Sequence, residues 1–171
     1  MFKFKFKFYF IFFVIFFFQV NSYSNDKIVY MDLNYVINNS NIGKKVLDEL
    51  NVLNKKNIEI LKVNQKNLKD EIDEINKIKN VATSEDLKKK ISQHNLNLNK
   101  YEKLKKNLSN ELNKKRNDEM NKLVQLINPI LEDYAKKNLI DIILSKEAIY
   151  ISKDKYDISN EILRLTNEKL K

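Results

Sequence analysis

From Lys44 to Asn128 apolar residues recur at alternating three- and four-residue steps, and no glycine or proline interrupts them. That spacing predicts long amphipathic helices of coiled-coil type rather than a globular patchwork. In the first arm the seam reads Val46, Leu50, Leu53, Asn57, Ile60. After one extra residue it resumes with Asn64, Leu68, Glu71, Ile75 and Ile78, a single stutter that locally unwinds a supercoil. In the return arm Leu87, Ile91, His94, Leu98, Tyr101, Lys105, Leu108, Leu112, Lys115 and Glu119 hold an unbroken four-three rhythm. Between them residues 80–84 supply the tip. Thr83 followed three residues later by Asp86 has the form of a capping box, and Ser84, Glu85 and Asp86 place oxygens and negative charge at a helix start.

The flanks have a different rhythm. Residues 27–33 form a short apolar strand candidate, and residues 139–144 and 148–152 form two more, separated by a hairpin-length Ser145-Lys-Glu147. A turn is expected at residues 38–43, around the only glycine, and Ile158, Ile162 and Leu165 mark one face of a final helix. Terminal strands can pair only if the long middle folds back on itself. The expected fold is therefore α+β and predominantly helical. Residues 25–42 and 138–171 make a small β-stranded oligomerisation body, and residues 43–137 a long antiparallel helical hairpin. At 1.5 Å per residue, arms of about 38 and 50 residues reach roughly 55 and 75 Å. Pro129 is expected to bend the longer one near its base.

A body of roughly 45 residues is close to the smallest that folds unaided. The chain has no cysteine and one histidine, so neither disulfides nor a metal cage supports it. Association with further copies is the remaining route. Ile28, Tyr30, Ile140, Ile142, Leu144, Ile149 and Ile151 are expected to build that core and interface. Leu61, Leu68, Ile72, Ile75, Leu87, Ile91, Leu98 and Tyr101 lie in the distal arm. They serve either as contacts for a bound partner or as packing between the arms. The polar seam positions dilute the apolar interface and predict a soft arm.

Residues 1–24 read as an export signal. Lys3, Lys5 and Lys7 precede an apolar run from Phe8 to Phe18, too short for the ~20 residues of a helical span, and cleavage is expected before Asn25. The formal charge of +9 then falls to +6, from 29 basic and 23 acidic residues. Such a surplus favours acidic partners and anionic lipid, and export argues against nucleic acid.

Chemistry is sparse. One glycine cannot form a phosphate-cradling loop, and no nucleophile stands in an elbow-like setting. His94 reads as a seam or surface residue, and the lysine-laced carboxylates of residues 67–77 as a solvated face. No enzyme activity, cofactor or metal is expected. Lys88-Lys89-Lys90 and Lys105-Lys106 read as solvated faces, with contact to anionic lipid or an acidic client as the functional alternative.

The opening Lys27-Ile-Val-Tyr-Met-Asp-Leu33 and the ending Asn138-Leu-Ile-Asp-Ile-Ile-Leu-Ser-Lys-Glu-Ala-Ile-Tyr-Ile-Ser-Lys-Asp-Lys-Tyr-Asp-Ile-Ser-Asn-Glu-Ile-Leu163 resemble the Skp/OmpH family of periplasmic chaperones. The resemblance covers about residues 27–171. It implies a homotrimer whose β bodies join, with three arms enclosing unfolded outer-membrane proteins without ATP. It also implies contact with lipopolysaccharide through basic residues, at positions this sequence does not assign. The alternatives are a membrane-tethered coiled-coil spacer that keeps its N-terminal segment, and a binder of anionic polymers with steep salt dependence.

Overall fold

The structure, a computed structural model, describes residues 26–170. The export segment read at residues 1–24 lies outside them. A strand, β1 (Ile28–Met31), leads into a short helix, α1 (Leu33–Asn39), and then into the two arms, α2 (Asn41–Ile78) and α3 (Ser84–Asn138). A second strand, β2 (Ile142–Ser145), follows. Single 3-10 turns at Lys146–Ala148 and Asp154–Tyr156 lead to a final helix, α4 (Ser159–Lys169).

The two strands, more than a hundred residues apart, pair in parallel, with Ile28 opposite Ile142 and Tyr30 opposite Leu144. Reciprocal bonds at the open end fix this register. The Lys27 amide donates to the Asp141 carboxylate at 2.7 Å, and the Asp141 amide donates to the Lys27 carbonyl at 3.0 Å. Alternation sends Val29, Met31 and Ile143 inward. They meet Val36 and Ile37 of α1, Leu123 and Ile127 of α3, and Ile158 and Ile162 at the start of α4. The core thus draws on the base of the long arm, where Ile127 and Ile162 are fully buried. The hairpin supports the body that carries it.

Three expectations are corrected. The first strand stops at Met31 because Asp32 caps a helix, its carboxylate accepting from the Tyr35 amide at 2.8 Å. The turn at residues 38–43 shrinks to Ser40, which alone leaves the helical region (ψ 152°) and whose hydroxyl accepts from the Gly43 amide. Gly43 is needed for room rather than for turn geometry. A Cβ there would stand 1.8 Å from the Ile37 carbonyl oxygen. The strand expected at residues 148–152 does not form, and neither does its hairpin with β2. The linking residues wind into a 3-10 turn held from outside: Lys146 reaches Asp32 (3.9 Å) and Asp157 (3.7 Å), and Glu147 accepts from Asn34 at 2.9 Å. The second edge of β1 is instead met by a bridge between Tyr30 and Asp157. The long arm α3 runs through Pro129 to Asn138.

At the tip the expected cap is present. The Asp86 amide donates to the Thr83 hydroxyl at 3.2 Å, and that hydroxyl donates to the Asp86 carboxylate at 2.7 Å. At the far end of α3, Leu139 adopts a left-handed conformation (φ 52°, ψ 48°), reversing the chain toward β2.

Candidate functional site

The side of the sheet that faces away from the core is apolar and open. Ile28, Ile142 and Leu144 alternate outward and remain exposed, and Ile151 is 85% exposed. A groove of about 740 Å³ crosses this face, lined by Ile28, Tyr30, Leu139, Leu144, Ile149, Ile151 and Tyr156. Of the residues expected to form the core and interface, Tyr30 is buried and Ile140 packs against the core. Ile149 is half-buried, and Ile28, Ile142, Leu144 and Ile151 are left to solvent. Leu139 and Tyr150 were missed in the sequence reading and are more than four-fifths exposed beside them. No pattern in the sequence signals the left-handed turn that presents Leu139.

The arms meet along a seam that is sparingly apolar. On α2 the expected seam positions, including Leu53, Asn57, Ile60, Leu68, Glu71 and Ile75, are half-buried or buried. On α3 part of the seam is rotated from the expectation. Lys90, Asn97 and Leu104 turn partly inward, while Ile91 and Leu98 are exposed. The cause is polar. Glu71 accepts from Asn97 at 2.7 Å and pairs with His94 Nδ1 at 2.9 Å, and Glu74 pairs with Lys90 at 2.6 Å. Satisfying a half-buried carboxylate from two positions three residues apart turns that face of α3 toward α2. The Lys90 contact, with its coulombic attraction, holds the Glu74 carboxyl below its ordinary value.

The eight distal-arm residues therefore divide. Leu61, Leu68, Ile75, Leu87 and Tyr101 are half-buried along the seam, and Ile72, Ile91 and Leu98 face solvent. Among the described residues no group of three or more His, Cys, Asp or Glu is arranged to hold a metal ion. Nor is any helix among them long and apolar enough to cross a membrane.

Comparison with known proteins agrees with this architecture. The crystal structure of an OmpH-like protein from Caulobacter crescentus CB15, described as a candidate outer membrane chaperone, superposes with a TM-score of 0.76. The match covers 85% of this chain and 86% of that one at 13% identity, a likeness of fold. No curated protein matches the sequence. The family described as outer membrane protein (OmpH-like) matches residues 27–165, nearly the whole described chain. The chain belongs to the OmpH-like, or Skp/OmpH, family.

Proposed function

We propose that the chain is an ATP-independent holdase that works in the periplasm as a homotrimer, keeping unfolded outer-membrane proteins from aggregating. The observation that carries this reading is the pairing of two unsatisfied surfaces. The outer sheet face leaves Ile28, Ile142, Leu144 and Ile151 in water at the body, and the arm leaves Ile72, Ile91 and Leu98 in water far from it. A body this small gains stability when copies cover the first surface. Arms held together at their bases then present the second surface several times over, so weak contacts add through effective concentration. The arm span, residues 43–137, carries 22 basic and 15 acidic side chains, whereas the rest of residues 25–171 carry 7 and 8. The positive surplus thus belongs wholly to the arms, which suits acidic clients and anionic lipid, lipopolysaccharide included.

The decisive experiment dilutes a urea-unfolded outer-membrane β-barrel protein into buffer with this protein and no nucleotide, following light scattering. Suppression at one trimer per client is expected, and unchanged aggregation overturns the reading. Export is tested separately by the N-terminal sequence of the secreted form, which should begin at Asn25.

A further inference from the structure

The hairpin has two unlike sides, and a simple rule of helical geometry separates them. Because α3 runs antiparallel to α2, the residue just after a seam position lies on one side of the hairpin in both helices. The residue just before it lies on the other side. The clefts beside the seam obey the rule. Asn67 and Lys100, which precede Leu68 and Tyr101, line one together, and Glu74 and Gln93, which precede Ile75 and His94, line another.

On this preceding side the arms are clasped by polar groups. The Glu74–Lys90 pair borders the smaller cleft, and Glu71 with Asn97 borders the larger, which encloses about 340 Å³ among mainly polar side chains. The following side has another composition. After Asn57 and Glu71 come Ile58 and Ile72, and after Lys90, Asn97 and Leu104 come Ile91, Leu98 and Lys105. The four apolar residues are all exposed. With Glu71 set against His94 and Asn97, Leu98 falls level with about residue 68 and Ile91 with about residue 75, so Leu98, Ile72 and Ile91 cluster within about 10 Å and Ile58, about 15 Å nearer the body, extends the row to about 25 Å. Lys69, Lys88 and Lys105, which follow Leu68, Leu87 and Leu104 on the same side, make no ion pair among the described residues.

We infer that this side of the arm is the client-binding face and that its occupant is an extended non-native segment of about seven residues combining apolar side chains with carboxylates. The row is the length of such a segment, and the free lysines beside it complement its acidic groups. The inference rests on the holdase reading and adds the face to it. Val63 and Leu96 provide an internal control. They are more exposed than the row, at 56% and 54% against 40–44%, but stand just before seam positions, on the clasped side.

The test uses the full mature protein with a photo-crosslinking residue at position 72, 98, 63 or 96 and a urea-unfolded β-barrel protein as probe. Crosslinks to the probe should form at 72 and 98 at least about fivefold more than at 63 and 96. Ile72→Ser with Ile91→Ser and Leu98→Ser should weaken probe binding about tenfold, and Val63→Ser with Leu96→Ser less than twofold, with helix content by circular dichroism unchanged in both. Equal crosslinking on the two sides, while wild type still suppresses aggregation, overturns the face assignment alone. Crosslinks from 72 and 98 mainly to other copies of this chain also overturn it. Neither crosslinks nor suppression at any position overturns both readings.

Discussion

Ile28 stands directly opposite Ile142 in the parallel ladder, and the two remain 43% and 45% exposed although they join the most distant parts of the chain. A paired, β-branched, apolar couple open to water at the end of the ladder fits the interface between copies that we propose. Ile142→Asp should therefore leave the body's own core intact but place a charge in the face between copies. Sedimentation should show monomer, with association weakened by about 3 kcal/mol or more, roughly a hundredfold. Circular dichroism should still report the helical arms. An unchanged oligomer would move the interface elsewhere.

Helices α1 and α2 approach closely at Gly43. A methyl group there meets the Ile37 carbonyl, which is backbone and cannot swing aside. Gly43→Ala should destabilise the folded chain by about 2–3 kcal/mol despite alanine's higher helix propensity, because α1 and α2 must separate. Urea unfolding followed at 222 nm measures this directly. A gain in stability would show that the junction relaxes freely.

Within the arm, Glu71 holds both His94 and Asn97. Glu71→Ala should loosen the distal hairpin by about 1–2 kcal/mol, read as faster amide exchange over residues 75–94 with the body unaffected. A double-mutant cycle with His94→Ala should return a coupling of about 1 kcal/mol. Additive effects would mean that the pair contributes nothing of its own.

The last helix is tied to the long arm by one exposed charge pair and braced within itself by another. The Lys169 ammonium, bonded to Asp133 at 3.0 Å, holds that carboxyl below its usual value, and Arg164 does the same to Glu161. A depressed carboxylate value in the folded state means the pair contributes fully above the ordinary value near ~4 and is lost as pH falls through the lower folded one. The melting temperature should therefore drop below about pH 4. Asp133→Asn should flatten part of that decline, and ~0.5 M salt should shrink the difference. A wild-type acid limb identical to the variant's would exclude this contribution.

Much of this was legible in the linear pattern, for reasons that are local. A heptad rhythm broken by a single stutter, without glycine or proline, permits only long helices, and Thr83 with Asp86 marks where the second begins. The short apolar runs at residues 27–33 and 139–144 are short-range information as well, and a strand begins within each. The family follows from the ordered succession of these elements, as the match over residues 27–165 shows.

What needed three dimensions is wherever one segment's conformation depends on another's atoms. Residues 148–152 have the composition of a strand, yet Lys146 and Glu147 are drawn to Asp32, Asp157 and Asn34, partners remote in sequence, and the hairpin turn is lost. The rotation of α3 that hides Asn97 and exposes Leu98 was equally illegible, since a heptad count weighs hydrophobicity and not the hydrogen-bonding demand of Glu71 on the facing helix. Periodicity thus determined the two arms and the last helix, though not α1, and that the arms return on themselves. Long-range polar satisfaction decided which side of each helix meets its neighbour, and so which apolar residues are left to bind.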